Sequence, residues 1–398
     1  MKHTDNSFTV ADVFRAGYHE YAAEQDIVHA SHRKIASAIM DCRTDKLGGL
    51  VYKCEDCNQH LALFHSCRNR HCPKCQAMAR AAWVLKRTNE LPQTSYFHVV
   101  FTIPPLLKPY ALRNKEIFYS LMFKAVSSSL LELGSDPRYL GGALGIITIL
   151  HTWTQKLSYH PHIHCIVPAG ALSPDGVEWI RSRERFLFPF DVLKELYRGK
   201  LMAYFREAVK RGEIPMGFEG ENADETFKGM VDKLYNTKWV VYLKESIAAP
   251  DRIIKYLSSY INRIAISDKR IVEIKDGNVT FSYLDRNDGN KKKLLTIPVV
   301  SFISRFFLHA VPGGFVRIRY YGFLANRNRT ENMSRCRAAV TGNQEAPAVE
   351  DEDTVAQIEL NIEELTVIFP VCPHCRSTRL TLTGEIPKRQ REEIRHVA

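Results

Sequence analysis

Residues 159–165 read Tyr-His-Pro-His-Ile-His-Cys, and at the centre His162 and His164 flank one bulky apolar residue, Ile163. Ile163, Ile166 and Val167 give the run the β-branched character of a strand. Side chains alternate along a strand, so the two imidazoles face one way, about 6–7 Å apart at the backbone, while Ile163 faces the core. Such a pair can share a divalent metal ion. A second chemical group follows at Tyr256 and Tyr260, four residues apart on a stretch that reads as a helix opened by Pro250. At that spacing both phenols lie on one helix face. Arg252, Lys255 and Arg263 surround them; cations lower the cost of a phenolate and attract phosphate. Metal-paired histidines with paired tyrosines are the parts needed to break a phosphodiester by covalent attack, giving a phosphotyrosine and a free 3′-hydroxyl. Two imidazoles are too few to hold an ion tightly. His151, at the end of the preceding strand, is the first candidate for a third ligand, because an antiparallel hairpin would set it beside His162; His98, on another predicted strand, is the second.

Cysteines form the other pattern. Cys54-x2-Cys57 and Cys72-x2-Cys75 are separated by fourteen residues, which matches a tetrahedral four-thiolate zinc site. Between them lie His65, Arg68, Arg70, His71 and Lys74, and no acidic residue occurs from Asn58 to Thr88. A zinc knuckle with cationic loops suits phosphate contact, and Arg68, Arg70 and Lys74, with Arg263, are the expected DNA contacts. Cys42, Cys67 and the pair Cys372-Pro-His-Cys375 are left over. The last pair is half a zinc site, and its partners are not readable from spacing.

These groups need elements to position them. Apolar spacing predicts helices within 8–43, then at 77–91, 110–133, 191–210, 224–236, 250–264 and 299–310. Buried strands are predicted at 97–103, 144–151 and 162–167, with shorter ones at 239–243 and 315–321. Asp276-Gly277 and Asp288-Gly289 mark hairpin turns among strands at 271–275, 278–284 and 293–298. Interleaved helices, strands and hairpins imply an α+β fold. Residues 340–356, acidic and without aromatics, read as a linker or disordered segment.

Bulk properties agree with a nucleic-acid partner. The chain has 398 residues, 45% apolar and 25% charged, enough for two or three domains with substantial cores. It lacks an apolar run of the roughly eighteen residues that a membrane span needs, and a signal-like N-terminus, so cytoplasmic residence with reduced cysteines is expected. The net charge is +11, and residues 338–375 hold eight acidic side chains and no Lys or Arg. The remainder therefore carries +19, a surplus that favours a polyanion.

Four blocks complete a recognisable set: Cys-Arg-Asn-Arg-His-Cys-Pro-Lys-Cys-Gln (67–76), Leu-His-Thr-Trp (150–153), Tyr-His-Pro-His-Ile-His-Cys-Ile-Val-Pro (159–168) and Tyr-Leu-Ser-Ser-Tyr-Ile-Asn-Arg (256–263). In this order they resemble the two-tyrosine rolling-circle insertion-sequence transposases of the HUH (histidine–hydrophobic–histidine) endonucleases. Phe-Ile-Ser-Arg-Phe-Phe-Leu-His (302–309) and Arg-Ile-Arg-Tyr-Tyr-Gly (317–322) extend the likeness over roughly residues 25–330. The resemblance implies a helical, zinc-ribbon-like DNA-binding domain (1–92), a catalytic domain with a central antiparallel sheet flanked by helices (93–335), and an acidic linker with a Cys-x2-Cys tail (336–398). It implies nicking and rejoining of single-stranded DNA at transposon ends and target DNA, with Tyr256 and Tyr260 alternating as nucleophiles. It also implies His162 and His164 as ligands of Mg²⁺ or Mn²⁺ beside structural Zn²⁺. The phosphotyrosine conserves bond energy, and the chain has no Gly-rich Lys-Ser/Thr phosphate loop, so unwinding would fall to host replication or helicase proteins or to supercoiling. The implied location is the bacterial nucleoid. Two other readings share some features: a plasmid replication initiator or relaxase-type nickase, and a non-catalytic zinc-dependent DNA-binding regulator.

Overall fold

A computed structural model describes residues 8–88, 91–183, 187–217, 223–247, 264–342 and 371–389, and the protein is α+β as expected. The histidine strand, β5 (Tyr159–Pro168), lies in the middle of a five-stranded sheet. β4 (Gly145–Trp153) and β3 (Tyr96–Thr102) flank it, with β12 (Ile318–Gly322) and β8 (Val241–Ile247) outside them, and all pairings are antiparallel. A small antiparallel pair, β6 (Gly170–Leu172) with β7 (Trp179–Arg181), follows the histidine strand. Ile163, Cys165 and Val167 point to one face, where they meet Phe97, Val99 and Phe101 of β3 and Leu150 of β4. That face is covered by α5 (Lys115–Ser135), which follows the short α4 (Lys108–Arg113), and by α6 (Phe190–Lys210). α5 is apolar around most of its circumference, which suits a helix buried between sheet and α6. Each large apolar side chain buried here contributes about 1.5–3 kcal/mol. A one-residue slip of β5 would exchange this row for imidazoles, so the packing that holds the core also fixes which way the histidines face.

The opposite face carries Ile147, Ile149 and Ile166, packed with Trp83 of α3 (Pro73–Thr88) and with Met333, Cys336, Ala339 and Val340 of a helix at Arg329–Gly342. β12 ends at Gly322, whose φ of +62° and close approach to the Leu144 carbonyl leave no room for a Cβ.

A second core joins the chain's beginning to its later part. α1 (Val10–Ala23) starts with a capping box between Thr9 and Asp12, and Phe14 packs edge-on against Phe306 (5.2 Å) and Phe307 (5.6 Å) of the helix Val299–Leu308. α2 (Ala30–Asp41) and the hairpin sheet β9 (Ile271–Lys275), β10 (Asn278–Asp285) and β11 (Lys291–Pro298) close this core. Asp276 and Gly277 both have positive φ, as the expected two-residue turn requires.

Several elements differ from the sequence expectations: the helix expected at 110–133 is broken at Asn114 into α4 and α5, and strands form at 49–54, 60–64, 170–172 and 179–181 where none was expected. α3 starts at Pro73, not 77, because proline fits a helix's first position and Cys75 lies within the first turn. The stretch after residue 335 is not only linker and tail: the helix continues to Gly342, and β13 (Leu380–Ile386) pairs with β1 (Gly49–Cys54), which also pairs with β2 (His60–Phe64). The predicted helix 250–264 and most of the acidic segment lie outside the described residues. Among the described residues no helix is long and apolar enough to cross a membrane.

Candidate metal centres and nucleic-acid groove

Antiparallel pairing sets His151 of β4 directly across from His162 of β5. One ring nitrogen from each of His151, His162 and His164 lies within 4.8 Å of the other two. Ring centroids are 4.5 Å apart for His151–His164, 4.8 Å for His162–His164 and 5.5 Å for His151–His162. The pairing register shifts between His151 and Trp153, an irregularity of the kind that re-aims side chains beside functional sites. Trp153 stacks on His151 at 4.5 Å and forms one wall of the cluster.

Neighbouring groups hold the rings in place. Nδ1 of His162 donates to the His160 carbonyl at 2.7 Å, so a metal on this ring would be held through Nε2. His98 Nε2 lies 2.8 Å from His164 Nδ1, and the rings stack at 5.1 Å. A metal-binding His164 would donate from Nδ1 to His98 and present its Nε2 to the cluster. The structure thus brings His151 to the pair and puts His98 behind it, as the partner that orients a ligand ring. Three imidazoles converging from one sheet face suit a divalent ion.

Two nearby groups have other work. Tyr159 shares a 2.8 Å hydrogen bond with Tyr119, and burial raises its phenol, so it is a poor nucleophile. His309 is buried, with Nε2 donating to the Leu157 carbonyl (3.1 Å) and Nδ1 accepting from Thr152 (3.3 Å). Burial pushes His309 down to about 4. The unfolded chain takes up this proton near pH 6.5 and the folded chain refuses it. His309 therefore costs nothing above that pH, and stability declines as pH falls from about 6.5 towards 4, by up to roughly 3 kcal/mol. Melting curves of His309→Gln across this range are expected to slope less than those of the parent; an unchanged slope would reject this.

The cysteines form two four-thiol clusters, and the grouping differs from the one that spacing suggested. Cys54 and Cys57 join Cys372 and Cys375; Cys72 and Cys75 join Cys42 and Cys67. Sulfur pairs lie 3.5 Å apart for Cys54–Cys375 and Cys57–Cys372, and 3.6 Å for Cys42–Cys75 and Cys67–Cys75. A tetrahedron with Zn–S near 2.3 Å requires sulfurs about 3.8 Å apart, so both sets fit zinc. The physical reason for the exchange is the long-range strand pairing. Cys54 ends β1 beside β13, which delivers the C-terminal pair, whereas the chain after β2 returns to the end of α2, where Cys42 sits. Contacts with Cys42, Cys67 and Cys72 hold the Cys75 thiol low, while contacts with Cys42, Cys67 and Cys75 push Cys72 up. A divalent cation between them would let all four ionise.

Of the expected DNA contacts, Arg68 is exposed on the turn after Cys67, Lys74 lies in the first turn of α3, and Arg70 is half-buried. Lys74 lines a groove of about 470 Å³ together with Trp153, Lys269, Arg270, Tyr283 and Lys292. Lys156 sits 4.8 Å over the Tyr283 ring. Cations interleaved with aromatics suit a single strand, whose bases can stack while its phosphates pair. Ile264 lines the same groove, immediately after the segment bearing Tyr256, Tyr260 and Arg263, which lies outside the described residues. Sequence reasoning assigned no role to Trp153, Gln76 or Arg317; their neighbours become visible only once β4, β12 and α3 are assembled.

Zinc clusters, an imidazole centre and a basic, aromatic groove define a metal-bearing, DNA-acting protein. Residues 13–103 match the family model of the transposase zinc-binding domain of IS91 type, and residues 145–332 match the two-tyrosine family model described as "Putative transposase". The chain is 39% identical over 380 residues to "Putative transposase y4qJ" of Sinorhizobium fredii, covering 95% of each chain. It is 26% identical over 294 residues to "Transposase for insertion sequence element IS801" of Pseudomonas savastanoi pv. phaseolicola, covering 73% of this chain and 69% of that one. No solved structure matches the chain. The chain belongs to the two-tyrosine insertion-sequence transposases that carry an IS91-type zinc-binding domain.

Proposed function

We propose that this transposase nicks and rejoins single-stranded DNA at its element's ends through 5′-phosphotyrosine intermediates, with Tyr256 and Tyr260 as nucleophiles. The observation that carries this reading is the convergence of His151, His162 and His164 on one face of the central sheet, with His162 and His164 each oriented by a second partner. A Mg²⁺ or Mn²⁺ ion bound there would polarise the scissile phosphate. The chain's own residues supply the rest. His160 and His98 hold the ligand rings, and the groove past Trp153 leads the strand to the face where the tyrosine segment ends at Ile264. Phenolate attack on phosphorus forms the Tyr–O–P bond as the 3′-oxygen leaves with a proton, and attack by a 3′-hydroxyl reverses the step without an external energy source. Arg68, Arg70 and Lys74 of the zinc-bearing N-terminal region, with Arg263, are the proposed backbone contacts.

The test is a covalent-trapping assay with a labelled single-stranded oligonucleotide of the element's terminal sequence. The parent protein is expected to give an SDS-resistant adduct in Mg²⁺ or Mn²⁺, and the Tyr256→Phe/Tyr260→Phe double variant none. Cleavage by the double variant would overturn the nucleophile assignment. Binding without cleavage in any metal would favour the regulatory reading.

A further inference from the structure

Beside the histidine centre lies a cavity of about 390 Å³, enclosed by the start of β12, the end of β4 and α3. His151 forms part of its wall, with Gln76, Phe315 and the two arginines Arg70 and Arg317. Arg317 Nη2 donates to the Arg70 carbonyl at 3.3 Å and to Gln76 Oε1 at 3.2 Å, so its guanidinium is held at the cavity wall. Burial and the positive charge of Arg70 push Arg317 down to about 10.

Two guanidiniums sharing one poorly solvated site repel each other, and an anion bound between them reverses the sign of the local energy. Planar guanidiniums match phosphate oxygens in paired hydrogen bonds, and the Phe315 side of the cavity can take the attached sugar. His151 belongs both to this wall and to the imidazole cluster, so an anion here is the immediate neighbour of whatever phosphate the cluster takes.

We propose that this cavity is a second phosphate subsite, in which Arg70 and Arg317 hold the phosphodiester adjoining the scissile one. The inference rests on the DNA-cleavage reading above. Its consequence is registration: with the adjoining linkage clamped, the scissile phosphate is set over the histidines rather than sliding past them. Arg317 also ties the loop carrying Cys67 and Cys72 to the catalytic sheet, so the clamp joins zinc module and sheet across one substrate linkage.

A methylphosphonate scan tests it. Full-length zinc-loaded protein, without added Mg²⁺ or Mn²⁺, is titrated with a single-stranded oligonucleotide of the element's end in which one phosphate at a time is made neutral. The parent is expected to show a weakening on the order of tenfold at the linkage adjoining the scissile one. Arg70→Gln keeps the carbonyl that Arg317 uses, and should erase that penalty while reducing the salt dependence by about 0.7 in log–log slope, one single-strand phosphate contact. Arg317→Lys, which retains charge but not the fork, should lessen the same penalty, with zinc content and melting reporting whether it folds. If the parent binds and cleaves but the adjoining linkage carries no penalty, or Arg70→Gln leaves that penalty intact, the subsite is wrong and the nuclease reading stands. If the parent neither binds nor cleaves the strand, the DNA-cleavage reading fails and the subsite falls with it.

Discussion

His162→Ala is expected to abolish cleavage, with a rate loss of at least about a hundredfold, while single-strand affinity stays within about threefold. His162 turns its Nε2 to the cluster because Nδ1 is committed to the His160 carbonyl, and alanine leaves two imidazoles, His151 and His164, to hold the ion. Metal stabilisation of developing phosphoryl charge is worth several kcal/mol, and about 2.7 kcal/mol of it already corresponds to a hundredfold. On the proposed reading affinity comes from elsewhere, from Lys74, Lys269 and Lys292 around the groove, which the substitution leaves in place. His98→Ala is the informative companion. Removing a partner behind a ligand usually weakens metal affinity by about 10–100-fold, so its cleavage should recover at high Mn²⁺ whereas that of His162→Ala should not. An equal loss of binding and cleavage in His162→Ala, or recovery of both variants by metal, would contradict this division.

The second large effect is at the other end of the chain. Cys372→Ser is expected to lower zinc from two ions per chain to one, and Cys54→Ser to do the same, although Cys54 and its cluster mate Cys375 are 321 residues apart. Structural zinc binding contributes folding free energy directly, with apparent values of about 10–16 kcal/mol in small zinc modules. Without it, β13 has little reason to stay on β1, and the unpaired edge of β1 becomes exposed. Proteolysis is therefore expected to cut within 49–64 in both variants, and DNA affinity to fall in both. Metal content measured on the two purified variants is decisive: two zinc ions retained in Cys372→Ser would refute the second cluster, and zinc loss in Cys54→Ser alone would refute the shared one.

The sequence was legible where one residue type has few physical uses. The His-x-His alternation, the Asp276-Gly277 turn and the long apolar helix after Lys115 each have one good local solution, and the elements appear there. His151 was within reach because two strands joined by a short polar loop pair antiparallel, which puts the end of one beside the start of the next. The cysteine grouping was not legible. Spacing ranks partners by proximity in sequence, whereas the sheet that brings β13 to β1 is a long-range pairing with no local signature. The pairs at 54/57 and 72/75 looked like one site because nothing between them shows that β1 and α3 diverge. Arg317 was hidden for the same reason. It was one cation in a basic, aromatic run, and only its position against Gln76 and the Arg70 carbonyl distinguishes it.

The cluster that joins Cys54 and Cys57 to Cys372 and Cys375 also sets a timetable for synthesis. At roughly 5–20 residues per second, a ribosome takes about 15–60 s to travel from the first pair to the last. During that interval the early thiols have no late partners, and β1 has only β2 beside it. A chain cut off between residues 264 and 372 would carry both tyrosines and all three clustered histidines but could not complete this four-thiol cluster. The first thiol pair therefore waits for the last, and the N-terminal sheet is completed only after the histidine strands have been made.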